Sequence, residues 1–389
     1  MMIIYLYFLM FLAVAVTSQF IGSRTIRRNF EIVACFILLF GFFGFRDITV
    51  LNDTPHYYGF YYKLARYRNY LEESVFAINP YDRFEYGYQV IVHFLIKYVS
   101  RDPYTIIWFS SLVLTIGNLW FISKRVDNIV IVTFAILLLG NFYTQYCLIR
   151  QSFALMFFYV AYGYLEKDKP WIYTSIILIA TLFHYTAFAL LALPLLKLLK
   201  IDRRNIIIIF VLTFAFAVLI LQIMTMLGLT NNIYFQQMIK RDKAPLAAIL
   251  DCLLLVLIYA TCLFVHFKMR LKEVDKSYFW TCLFSLCVSI ITIVFLPLFR
   301  VNTYLLPIAI IQLMRYLTPA YTFKEEREGT VPAPLKQKEL RRFLQIVILF
   351  ILFVRISVTM TFRNEWNHVT PYRFYDFSDR FHYYYLYWD

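Results

Sequence analysis

The chain has 389 residues, of which 61% are hydrophobic, 20% aromatic and only 16% charged, with a mean hydropathy of +0.64 and a formal charge of +14. No soluble fold needs that much apolar surface, and the long unbroken apolar runs lack the period-two alternation of a transmembrane barrel strand. What remains is an all-α polytopic membrane protein, and much of the basic excess sits in short loops where topology demands it, so it does not point to nucleic acid.

A span needs about 20 apolar residues, fewer where it is broken or ends in a cavity. Twelve runs qualify: 3–21, 30–45, 104–122, 129–143, 147–165, 171–184, 185–199, 205–225, 246–267, 278–298, 301–318 and 343–361. The first has no basic n-region and is expected to stay as a span. Basic residues orient the rest: Arg24, Arg27 and Arg28, then Lys124 and Arg125, Lys167 and Lys169, Lys200, Arg203 and Arg204, and the run from Lys268 to Lys276. With the amino terminus outside, all of these fall in the cytoplasm, as does 319–342, which reads as a linker.

That parity works only if 86–100 does not cross but lies as a re-entrant or interfacial helix on the outer side. It also requires 171–199 to be split at His184, because a single crossing would put Lys200, Arg203 and Arg204 outside. Residues 1–389 then form one integral membrane domain. Its outer segments are 46–85, with an amphipathic middle from Tyr57 to Tyr70, then 226–245 with Lys240 to Lys243, the turn at Arg300, and the tail 362–389. The cysteines all fall in apolar segments without a CxxC pair, so neither a metal site nor a disulfide framework is indicated.

Chemistry is sought among polar residues that the membrane penalises. Arg150, followed by Gln151, opens the run 147–165 toward its outer end, where an arginine needs water, a partner or an anionic ligand. Its planar fork suits bidentate phosphate recognition; the bland alternative is snorkelling to the interface. His184 lies at the predicted outer turn, where it serves equally as a base, a phosphate donor or a helix cap. Asp53 and Tyr57 are one helical turn apart, but Asp53-Thr54-Pro55 is also a good helix start. Glu85 marks the mouth of 86–100. Arg300 with Tyr304 one turn on, and Arg373 beside Tyr372, join Arg46 and Arg150 in a basic outer basin suited to a diphosphate. No phosphate-binding glycine loop or DxD motif is present, which disfavours an ATP-driven pump and a nucleotide-sugar transferase.

The ordered set Arg46…Asp53-Thr54…Tyr57, Glu85-Tyr-Gly87-Tyr, Arg150-Gln151-Ser-Phe-Ala154, Phe183-His184-Tyr-Thr-Ala187, Arg300…Tyr304 and Pro371-Tyr372 resembles the EpsG-like bacterial polysaccharide polymerases, relatives of the Wzy-type O-antigen and capsule polymerases. One departure is Asn52 where the family usually has glycine before its Asp-Thr. The resemblance implies a GT-C-like fold in the bacterial cytoplasmic membrane with its site facing outward. It further implies transfer of a growing glycan from undecaprenyl diphosphate to a newly flipped lipid-linked repeat unit, with no metal, nucleotide or other cofactor. A chain-length regulator and a flippase are the implied partners besides membrane lipids. Arg150, Arg300 and Arg46 would hold the diphosphate, and Asp53, Glu85 or His184 would orient or deprotonate the acceptor hydroxyl. Tyr57, Gln151, Tyr304, Tyr372 and Arg373 would line the substrate. The alternatives are a lipid-linked oligosaccharide flippase, a lipid-phosphate-dependent GT-C glycosyltransferase and an O-antigen ligase.

Overall fold

The structure, a computed structural model, describes residues 1–66, 74–76, 84–226, 228, 246–268, 275–317, 335–363 and 366–377. Among them the chain is helical, with a single isolated bridge, Arg46 to Phe374, as its only β pairing. The Lys240 to Lys243 cluster lies outside the described residues. Among the described residues six helices are long and apolar enough to cross a membrane, seven if one bent pair counts as a broken span, and three more apolar helices are shorter. The chain is thus a multi-pass membrane protein of mixed long and short helices.

The helices fall into two units, the first comprising Met1–Gly163, Ser175–Phe188 and Ile348–Asp389. In it, α1 (Met2–Gln19) and α6 (Ile129–Leu138) pack on α2 (Arg24–Gly44), which also packs on α5 (Thr105–Ser123). Ser23 caps α2 by accepting from the Ile26 amide. At one end of this bundle Arg24 pairs with Asp127, and Arg28 donates to the Ser123 carbonyl. The loops after α1 and α5 thus share an end, the arrangement that basic-residue parity predicts.

The opposite end is built from the first long loop. Its helix α3 (Thr54–Arg66) buries Thr54, Tyr57, Tyr58, Tyr61 and Leu64, a stripe at helical spacing that packs on α5 and on α4 (Tyr86–Tyr98). With 13 residues, α4 reaches about 20 Å and falls short of a hydrocarbon core about 30 Å thick. That length is compatible with the non-crossing helix that charge parity predicts over 86–100. Residues 372–375 are fastened here too: the Asp47 amide donates to the Arg373 carbonyl at 2.9 Å and the Tyr375 amide to Phe45 at 2.9 Å.

The stretch 129–165 departs from its sequence reading. Two spans were expected, meeting between 143 and 147, with the residues from Tyr143 opening the second. Instead α6 stops at Leu138, and Gly140 takes φ 82°, a left-handed conformation open to glycine. The chain then turns by 75° into the short α7 (Asn141–Cys147), breaks again at Leu148, and starts α8 (Ile149–Glu166). Arg150 is consequently the second residue of its helix. Side chains support this double break: Asn118 donates to Gln145 at 2.8 Å, Gln145 to Asn141 at 2.5 Å and Tyr159 to Asn118 at 2.8 Å. Arg355, within α15 (Leu335–Phe362), donates to the Leu139 carbonyl at 2.8 Å, at the end of α6.

The second unit comprises Tyr164–Thr174 and Ala189–Val347. The helix α9 (Pro170–Thr181) ends just before His184, and a 3-10 turn (Tyr185–Leu191) leads into α10 (Ala192–Leu198). Tyr173 donates to the Leu190 carbonyl at 2.8 Å, and Lys197 pairs with Asp168 at 2.8 Å, so the chain doubles back as the split at His184 requires. The helices α10, α11 (Arg203–Met226), α12 (Leu246–Lys268) and α14 (Phe299–Leu317) pack on α13 (Lys276–Val294). Asn302 ties α13 to α14 through Ser285 at 2.9 Å and Ser289 at 2.7 Å. Residues 335–342, the last part of the stretch read as a linker, are helical and open α15.

Candidate active site

Three segments far apart in sequence meet on one carboxylate in the first unit. Glu85 immediately precedes α4, and its side chain is 5% exposed. One oxygen, Oε2, accepts from Nη1 of Arg150; the other, Oε1, lies 2.8 Å from Nδ1 of His184. Arg150 also donates to the Tyr57 hydroxyl, and its guanidinium lies 4.9 Å over the Phe84 ring.

Local sequence explains how each group arrives. The chain leaves α9 at Thr181, and the Leu182 carbonyl accepts from the Gly87 amide at 2.8 Å, which locks the His184 turn onto the first turn of α4. Gly87 allows this approach, since a Cβ there would stand 2.8 Å from the Phe183 ring. Glu-Tyr-Gly and Phe-His are therefore two halves of one contact. Arg150 enters from the first turn of α8, where the positive end of the helix dipole disfavours a cation by about 0.3–1 kcal/mol. Glu85 offsets that penalty with a full opposite charge.

The electrostatics follow from this contact. Burial alone would raise the pKa of Glu85, but the hydrogen bond from His184 and the charge of Arg150 outweigh it and hold the carboxyl below its usual value. Glu85 is thus an ionised acceptor serving two donors, and His184 is oriented through Nδ1, which leaves Nε2 as the nitrogen that Glu85 does not hold. An arginine that binds oxyanions, an oriented imidazole and a carboxylate that steers both make a set suited to acid–base chemistry beside an anion.

Asp53 is half-buried at the start of α3, and its carbonyl accepts from the amides of His56 and Tyr57 at 3.1 and 3.3 Å, the helix-starting role. Arg46 is fully buried and donates to the Phe43 and Tyr146 carbonyls and to Ser111 Oγ. Tyr372 stacks on Phe42 at 4.1 Å and donates to its carbonyl, whereas the Arg373 side chain is exposed. Gln151, one residue beyond Arg150, is 1% exposed. Arg300 and Tyr304 belong to the second unit, as the second and sixth residues of α14.

Comparison with protein families matches residues 29–374 to the EpsG family. The chain belongs to that family. No curated protein and no solved structure matches it. Membership associates the chain with polymerase-like glycosyltransferases of polysaccharide biosynthesis and, through them, with lipid-linked saccharides at a membrane. The matched stretch contains all three segments that meet at Glu85.

Two features of this EpsG-family chain escape a sequence reading. Arg355 lies inside an apolar run, and by the criterion that singles out Arg150 it qualifies equally; the structure gives it the α6 terminus to hold. Tyr88 closes the Glu85-Tyr-Gly87-Tyr motif without having been given a role from sequence, yet it is fully buried beside Tyr57, with ring centroids 5.4 Å apart.

Proposed function

We propose that this protein joins undecaprenyl-diphosphate-linked oligosaccharide repeat units into O-antigen, capsule or exopolysaccharide on the outer face of a bacterial cytoplasmic membrane. The observation that carries the reading is the Glu85 carboxylate shared by Arg150 and His184, on a family associated with glycosyltransferase-like polymerases.

In this reading Arg150 binds the diphosphate of the donor and stabilises the charge that grows as the sugar–phosphate bond breaks. His184 takes the proton of the acceptor hydroxyl at Nε2, and Glu85 fixes the ring and stabilises the imidazolium that forms. The acceptor oxygen forms its bond to the anomeric carbon as the diphosphate departs with the bonding electron pair. Energy comes from that departing group. Tyr57 holds the Arg150 fork in place. Arg46 and Tyr372, committed to carbonyls within the first unit, brace the frame, and Asp53 starts α3. Arg300 and Tyr304, in the second unit, are assigned no role in this step.

The test is the size profile of the surface glycan after deleting the gene and after restoring it as Arg150→Ala. Single repeat units exported and attached, with the polymer ladder lost in both strains, is the expected result. Repeat units trapped on the cytoplasmic face would mean a flippase and would overturn the assignment. A normal ladder in the Arg150→Ala strain would remove Arg150 from the site.

A further inference from the structure

The aromatic cluster beside Arg150 contains a hydroxyl with nothing to bond. Tyr88 is 0% exposed, and its hydroxyl has no hydrogen-bond partner among the described residues. Its ring lies between Tyr57 at 5.4 Å, Phe84 at 5.3 Å and Phe60 at 6.0 Å. The ring that Tyr88 packs against, Phe84, also carries the Arg150 guanidinium at 4.9 Å, and another neighbour, Tyr57, accepts from that guanidinium, so Tyr88 and Arg150 share one aromatic cluster. A buried phenol normally finds an acceptor, because stripping it of water without one is unfavourable by about 1–3 kcal/mol. Among the described neighbours Phe60 and Phe84 are apolar, the guanidinium has donors only, and the Tyr57 hydroxyl, which accepts from Arg150, makes no hydrogen bond to Tyr88.

We propose that Tyr88 is a further substrate-binding residue, whose hydroxyl donates to the phosphate oxygen that Arg150 binds. The inference rests on the reading of Arg150 as the diphosphate-binding group and adds a second donor to it. The ligand class is an anionic phosphate oxygen in a dry seat. Arg150, with a side chain 20% exposed, is the open edge, and Glu85 occupies the guanidinium in the structure. A phosphate oxygen that takes the place of Glu85 on Arg150 meets a fork already held by Tyr57. It also meets a phenol with its proton unspent. In such surroundings a hydrogen bond to a charged acceptor is worth more than one in water. Orphaned in the resting chain and satisfied only by the ligand, Tyr88 contributes to binding without contributing to folding.

That pairing sets the experiment. The full-length protein in lipid nanodiscs is titrated with geranylgeranyl diphosphate, for the wild type and for Tyr88→Phe, and the thermal unfolding midpoint of each is recorded without ligand. The phenyl ring keeps all the packing and removes only the unpartnered hydroxyl. The expected result is an unchanged or higher midpoint together with binding weaker by about tenfold or more, the size of a hydrogen bond to a charged acceptor. Wild-type binding by Tyr88→Phe overturns the proposal while leaving the diphosphate reading intact. A lowered midpoint with unchanged binding also overturns it, since the hydroxyl then serves the fold. If the wild type itself ignores the diphosphate, the reading of Arg150 falls and this inference falls with it.

Discussion

Replacing Glu85 by glutamine removes one charge with little change in volume, and the structure says what that charge holds. It accepts from Arg150 and from His184, with side-chain exposures of 5% for Glu85, 20% for Arg150 and 9% for His184, so water screens neither contact well. Hydrogen bonds to a charged group contribute about 1.5–3 kcal/mol each, and an amide keeps part of both. Breaking a buried pair by removing one partner costs about 3–5 kcal/mol, reduced here because Arg150 retains some solvent contact. The expected destabilisation is therefore ~3 kcal/mol, read from unfolding of the full-length chain in mixed micelles by tryptophan fluorescence. A cycle with Arg150→Met and the double variant isolates the pair, with an expected coupling of about 2 kcal/mol. The pH dependence has a definite sign. A carboxyl whose native pKa lies below its unfolded value stabilises the fold above that unfolded value, and the contribution is lost as pH falls through the native one. Wild-type stability should accordingly drop on acidification below the ordinary carboxyl value of 4.5, more steeply than that of Glu85→Gln. Additive single effects within about 0.5 kcal/mol, with parallel acid limbs, would refute the claim that this pair holds the site together.

Two other variants separate the catalytic contact from its frame. Gly87→Ala touches no polar group, yet its Cβ would meet Phe183 at 2.8 Å and push the His184 turn off α4. Overpacking of this kind costs about 1–3 kcal/mol, and the polymer ladder should shorten or vanish while the protein still inserts; a wild-type ladder would show that the turn tolerates displacement. Arg46→Met strips two carbonyls of their donor in a buried site, so the unfolding midpoint and protein level should fall, whereas diphosphate affinity per folded molecule should hold. The reverse pattern, a normal midpoint with lost affinity, would return Arg46 to the ligand.

Arg150, Glu85 and His184 were legible because the membrane makes polar residues expensive, which leaves few explanations for those that persist. The expectations that the chain splits at His184 and that 86–100 does not cross came from charge parity, a topological rule that needs no contacts. Helix breaks were less legible. Gly140-Asn141 is a good turn signal, but inside an apolar run hydropathy averages over it, and only the left-handed φ shows that the chain turns there. Arg46 shows a related limit. Sequence shows that an arginine sits near a membrane face, whereas its commitment to Phe43, Ser111 and Tyr146 depends on α5 and α7 arriving from 65 and 100 residues away. Its charge looked available because its partners were carbonyls, which every residue has.

The arrangement of charge also bears on how an ionised site persists at a membrane. Arg150 alone at the head of α8 would oppose the helix dipole and face a low dielectric, and Glu85 alone in its buried place would shed its charge. Paired, they are neutral in sum, which a membrane tolerates. In the proposed reaction a diphosphate arriving at Arg150 would supply the negative charge that Glu85 supplies in the structure, so Arg150 would stay compensated while Glu85 was released to His184. An imidazole whose partner carboxylate is no longer shared is a stronger base, because the imidazolium it forms is better stabilised. Binding of the donor would in this way raise the basicity of the group that activates the acceptor. That order would have a chemical consequence in the proposed reaction: the proton would be drawn from an acceptor hydroxyl only when a leaving group was in place, and water arriving beforehand would meet a base still held in check.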